Sequence, residues 1–200
     1  MNTKTSELIR KKASELIAAH GYDALDLTML AEDGLPMEVV AVQAQSKQQL
    51  LFSLLERTVV ELIDALQATV LPIADSKAQL RAFIRLHIAF HVDRSPETLI
   101  ATAELKNLSP SNYKKIVGLR NLYEGHVRDI LQRGCDRRYF SMSDVGVTAA
   151  SLLTMLTHTT CRHGEFEAFI AEMTELSFRL VGASDKPTCT ILPFPSRNLG

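Results

Sequence analysis

Two hundred residues, 46% of them hydrophobic, suffice to bury a real core as one domain or as a small domain joined to a larger one. With 22 Lys and Arg against 23 Asp and Glu, the formal charge of -1 excludes a grossly basic nucleic-acid binder and leaves room only for a local basic face. Cys135, Cys161 and Cys189 are odd in number and lack CxxC spacing, Met1 to Lys12 is polar, and no uncharged apolar run reaches the ~18 to 20 residues of a membrane span, so the expectation is a cytoplasmic chain with reduced thiols and no membrane contact.

Apolar positions recur at helical spacing almost throughout, and no stretch alternates strictly, which predicts an all-α chain. Ile9, Ala13, Leu16, Ile17 and His20 share one face of a first helix, stopped by Gly21. Asp26 or Thr28 caps a short second helix with Leu27, Leu30 and Ala31, Gly34 breaks it, and a third runs from Pro36 to about Ala44. A fourth, from about Lys47 to Val70, carries Leu50, Leu51, Leu54, Leu55, Leu62, Ile63 and Leu66 on one stripe, and Pro72 ends it. Ser76 is the expected cap of a fifth helix with Leu80, Phe83, Ile84, His87, Phe90 and His91, and Ser95-Pro96 opens a sixth reaching Leu108. A seventh runs from about Ser111 to Gln132 and is closed by Gly134. Ser143 or Asp144 caps an eighth, the uncharged segment Val145 to Cys161. Glu165 to Gly182 forms a ninth, and both of these last helices must be buried on several sides. Ala183 to Gly200, with three prolines and no periodicity, reads as an extended or disordered tail.

Three short helices followed at once by a long one is the layout of a helix-turn-helix unit on a helical body. Ile9, Ala13, Leu16, Ile17, Gly21-Tyr22, Leu27, Leu30-Ala31, Gly34-Leu35, Ser46-Lys47 and Leu50-Leu51 resemble the N-terminal signature of the TetR/AcrR family of bacterial transcriptional regulators. The resemblance implies a helix-turn-helix DNA-binding domain over 1–46, a helical sensor and dimerisation domain over 47–182, and the tail over 183–200. It implies a regulator, most naturally a repressor, that a small organic ligand of acyl or CoA-thioester type controls. The last two helices would pair with their copies in a homodimer, a role that suits the uncharged, small-residue-rich Val145 to Cys161.

Within that resemblance Thr28 and Lys47 are the phosphate contacts, and the third helix offers Met37, Glu38, Val39 and Gln43 to the groove. Gln43 suits an adenine edge and Glu38 a cytosine amine, with no arginine available for guanine. The family's aromatic cluster is absent from this helix. The acids Glu7, Glu15, Asp23, Asp26, Glu32, Asp33 and Glu38 outnumber Lys4, Arg10, Lys11, Lys12 and Lys47, contrary to what counterion release favours. The alternative is therefore a degenerate relative that keeps ligand or protein binding and dimerisation without specific DNA binding.

His87, Phe90, Arg120, Tyr123, Thr154 and His158 fall on helices that line the pocket in related regulators, offering an apolar cavity with a few polar anchors. Arg120 reads either as a binder of carboxylate or phosphate or as a surface or interface ion-pair partner. His87 and His91 have the spacing of a two-histidine metal clamp, with His126, His158 or Glu104 as third ligand. The stronger reading is one partly buried and one solvent-facing histidine without metal. Arg133, Arg137 and Arg138 form the most basic stretch, a solvated helix end before it is an anion site. The chain carries no GxSxG, phosphate-binding glycine loop or HExxH, so neither catalysis nor a cofactor is expected.

Overall fold

The computed structural model describes residues 3–32, 37, 40–41, 46–158 and 165–183, and among them the only regular structure is helical. Helix α1 spans Thr3–His20, α2 Leu27–Glu32, α3 Lys47–Thr69, α4 Ser76–Asp93, α5 Ser95–Ala103, α6 Pro110–Asp136, α7 Val145–His158 and α8 Phe166–Leu180, with a 3-10 turn at Leu105–Asn107. Between α2 and α3, Met37, Val40 and Ala41 are helical and Val40 is fully buried. Thr159 to Gly164, the tail from Ser184 onwards, and with them Cys161 and Cys189 lie outside the described residues.

Local chemistry accounts for the helix ends. Gly21 takes φ +81°, the left-handed conformation that lets its N–H reach the Ile17 carbonyl and close α1. Asp26, not Thr28, caps α2, its carboxylate accepting from the Thr28 N–H at 3.0 Å. Ser46 caps α3, and Asp144 caps α7 through the Val147 N–H at 2.8 Å. Helix α4 departs from expectation: Asp75 is its cap, accepting from Ala78 N–H, while Ser76 is buried inside the first turn. The sixth helix of the sequence reading stops at Ala103 and tightens into the 3-10 turn instead of running to Leu108.

Gly134 is the larger correction. It does not close α6, which continues to Asp136; it lies buried within the last turn, where a Cβ would stand 1.9 Å from Cδ2 of Phe140. Hydrogen, in place of a methyl, lets the Phe140 ring pack against the helix at this position as the chain reverses toward α7. The reversal is made by Arg138 at φ 62°.

Two hydrophobic clusters share the long helices. One joins Ile9, Ala13 and Ile17 of α1, Leu30 of α2 and Val40 to Leu50, Leu51, Leu54 and Leu55 of α3, then to Ile100, Ala101, Leu108 and Ile116. The other joins the distal half of α3 to α4, α6, α7 and α8 around Leu66, Phe83, Ile84, Val127, Ile130 and Leu152. Full burial of each such side chain contributes about 1.5–3 kcal/mol. At the seam, Glu61 of α3 gathers Arg57 at 2.5 Å, Arg94 at 2.5 Å and Arg10 of α1 at 3.5 Å, tying three helices through one carboxylate. The expected burial of the last two helices on several sides is incomplete in the single chain: Val147, Leu176 and Leu180 remain exposed, Val147 at 65%.

If Gly134 serves ring packing, G134A will lower stability by about 1–3 kcal/mol in urea denaturation, the cost of overpacking a filled site. Were it merely a helix end, the alanine would be neutral or stabilising by helix propensity.

Candidate functional site

A cavity of about 280 Å³ opens between α3, α4, α5, α6 and α7. His87 and Phe90 reach it from α4, Arg120 and Tyr123 from α6, Thr154 and His158 from α7, so the structure gathers all six residues of the sequence reading around one space. Thr58, Val59, Leu62, His91, Thr98, Ala101, Thr102, Glu124, Leu153 and Thr157 complete the wall. Several of these were legible as helical neighbours of residues already singled out: His91 follows His87 by four, Glu124 follows Arg120 by four, and Thr157 follows Thr154 by three. The contribution of α5 had no such signal, because it depends on how that helix docks.

His87 is 2% exposed, and both its ring nitrogens are engaged, Nδ1 2.8 Å from the Tyr123 hydroxyl and Nε2 3.0 Å from that of Thr157. Burial pushes its pKa well below the ordinary histidine value, with the His91 charge adding to the effect. The His91 ring lies 4.4 Å from it, centroid to centroid, and burial, then His158, lowers the His91 pKa to about 4. Near neutral pH these two imidazoles are therefore uncharged walls. This differs from the clamp geometry considered for HxxxH: a metal would have to displace Tyr123 or Thr157 from the ring nitrogen it took. Among the described residues no group of three or more His, Cys, Asp or Glu side chains is placed to hold an ion.

The threonines are occupied in similar fashion. Thr58, Thr98, Thr102 and Thr154 donate their hydroxyl hydrogens to carbonyls of their own helices, so toward the cavity they offer acceptor lone pairs and methyls. Arg120 is half-buried and its Nη2 donates to the Ala101 carbonyl at 2.5 Å, a neutral acceptor in place of the ion-pair partner that one of its two readings expected. Burial lowers its pKa.

From Ala101 a chain of polar contacts leads to the N-terminal helices. Glu104, next after α5, accepts from the Tyr22 N–H at 3.3 Å and from the Asn107 amide at 2.6 Å. The Gln48 side chain donates to the Asn107 carbonyl and accepts from Ser109 N–H at 3.2 Å. Lys47, first residue of α3, donates to the Asp23 carbonyl at 2.8 Å with its ammonium 4.6 Å from the Tyr22 ring centroid. Thr28 is exposed in the first turn of α2, and Met37 is exposed. Glu38, Val39 and Gln43 lie outside the described residues.

The basic stretch at the end of α6 is structural on two of its three members. Arg133 donates to Gln79 Oε1, and Arg137 to the Ala74 carbonyl and Ser76 hydroxyl, so both tie the α3–α4 connection; Arg138 is exposed. Cys135 is half-buried, and burial raises its pKa away from thiolate reactivity.

The histidine pKa shifts carry a signed prediction. Between pH 6.5 and about 4 the unfolded chain binds protons that folded His87 and His91 refuse, so stability falls as pH falls through that window. The slope approaches about 1.4 kcal/mol per pH unit for each group. Urea titrations at pH 7, 6 and 5 will show the loss, and H91Q will flatten the curve.

Residues 74–161 match the family model of the tetracyclin repressor-like C-terminal domain. The whole fold is similar to a tetR-family regulatory protein of Rhodococcus RHA1, at TM-score 0.83 and 22% identity over 92% of this chain and 100% of that one. It is similar also to the TetR-family regulator PfmR of Thermus thermophilus, at 0.75 and 24% over 89% and 99%. A third similar structure is AibR in complex with isovaleryl coenzyme A and operator DNA, at 0.77 and 21% over 87% and 98%. No curated protein sequence matches. Residues 74–161 therefore match a tetracyclin repressor-like C-terminal domain, and the chain around it has the fold of the TetR-family regulators.

Proposed function

We propose that the chain is a dimeric DNA-binding regulator of transcription, a repressor, controlled by a small organic ligand of acyl or CoA-thioester type in the cavity of α3 to α7. The observation that carries this reading is the double membership of α5. Thr98, Ala101 and Thr102 line the cavity, while Ile100 and Ala101 pack in the N-terminal cluster and Glu104 holds Tyr22 beside Lys47. A ligand that repositions α5 would thereby shift the population between two placements of the N-terminal unit. The binding of isovaleryl coenzyme A and operator DNA by AibR supports the same pairing of ligand and DNA.

In this reading Thr28 and Lys47 contact phosphate, Met37, Glu38, Val39 and Gln43 face the groove, and His87, Phe90, Arg120, Tyr123, Thr154 and His158 hold the ligand. The protein acts in the cytoplasm by binding, not catalysis. No described helix is long and apolar enough to cross a membrane. The homodimer forms through α7 and α8, whose exposed Val147, Ala150, Ser151 and Leu176 give small and apolar surface to a partner.

Fluorescence anisotropy of the gene's own upstream DNA, with random DNA as competitor, tests the DNA reading. Binding will be specific and salt-dependent, and K47A will weaken it about evenly across sequences while reducing the salt slope by about 1. Equal or absent binding to both DNAs sinks this reading in favour of the degenerate relative. Sedimentation tests the assembly: V147E will convert the dimer to monomer at micromolar concentration, whereas an unchanged dimer would place the interface elsewhere.

A further inference from the structure

Resting on the reading of the cavity as a ligand site, we infer that its ligand is an organic carboxylate of roughly a dozen heavy atoms whose anionic head binds Arg120 and whose body is apolar. Arg120 is the cation in this wall whose charge has no carboxylate within ion-pairing distance among the described residues. Its one short contact is the neutral Ala101 carbonyl. Glu124, one turn along α6 and also in the wall, lies 3.7 Å from Arg128, which shares its charge. A half-buried guanidinium with five donors and one neutral acceptor has unused capacity on its cavity side, and a bidentate carboxylate is the group that matches it.

The remaining walls decide the body of the ligand. His87 and His91 are neutral and His87 is fully hydrogen-bonded. Four threonines donate to their own helices, and Val59, Leu62, Phe90 and Leu153 supply apolar surface. A polyol would find few free donors here, and a cation would meet Arg120. A dry cavity of about 150 Å³ holds benzene, so 280 Å³ accepts a medium-chain or aryl-alkyl acid.

The anchor point also has a consequence for α5. At its C-terminal end the Ile100 carbonyl accepts the Glu104 N–H, and the Ala101 carbonyl accepts from Arg120. A carboxylate that draws Arg120 toward the cavity removes the cation from Ala101, three residues before Glu104, the residue that holds Tyr22.

Isothermal titration of the full chain, without DNA, with octanoate, octan-1-ol, 3-phenylpropanoate, 3-phenylpropan-1-ol and octanoyl-CoA tests the inference independently of any operator. At least one acid will bind ten- to a hundredfold more tightly than its alcohol, roughly the strength of a charge-assisted hydrogen bond. R120Q, checked for folding by its melting temperature, will abolish that preference, and R120K will retain part of it. Equal affinity for acid and alcohol in the unmutated protein overturns the inference whatever the variants do, as does an R120Q protein that keeps the preference. Binding of octanoyl-CoA with no binding of either acid overturns the free-carboxylate class and leaves the cavity a ligand site. Failure of every probe overturns the class and weakens the cavity reading itself, while leaving the DNA result untouched.

Discussion

Ala101 turns its side chain into the N-terminal hydrophobic cluster while its carbonyl oxygen accepts the Arg120 guanidinium at the edge of the cavity. Nine-residue α5 is too short to be stable in isolation. It persists because two interiors hold it, the α1–α3 core through Ile100 and Ala101 and the cavity wall through Thr98 and Thr102. Any displacement of this helix is felt on both sides, since neither packed core deforms continuously. The rest of the architecture can be understood as support for that shared element.

The support is partly electrostatic. Glu61 sits among three guanidinia from α1, α3 and the α4–α5 junction, so the N-terminal helix, the long connecting helix and the start of α5 meet at one carboxylate. Pairs of this exposure contribute modestly one by one, yet a shared partner reduces the ordering cost of each additional bridge. Beyond α5, Glu104, Asn107 and Gln48 continue the connection as neutral and charged hydrogen bonds to the turn that carries Tyr22.

The cavity follows a different rule, namely few free charges in a space with low polarity. His87 and His91 are kept neutral by burial, and the hydroxyls of Thr58, Thr98, Thr102 and Thr154 are satisfied within their own helices. Such a wall binds an apolar body without strong direction and leaves orientation to a small number of polar points. Thr154 and His158 stand at the exposed rim on α7, the same helix whose outer face carries exposed Val147, so the mouth of the cavity and the apolar surface of α7 adjoin.

Helical periodicity and end signals were enough to fix the all-α class, most helix bounds and the cap at Gly21, and to narrow the start of α7 to Ser143 or Asp144, while the six residues that surround the cavity came from the family resemblance. Spacing could not distinguish a glycine that ends a helix from one that receives a ring: Gly134 has its role from Phe140, which becomes its neighbour only after the chain reverses. Nor could it assign Arg120, whose partner is a backbone carbonyl on another helix, or place α5 between two cores. Sequence by itself determined which residues lie on which face of which helix. Which faces meet, and so which cation is left without a counter-charge, was decided only by tertiary packing, since contacts between helices depend on docking geometry that a one-dimensional pattern does not contain.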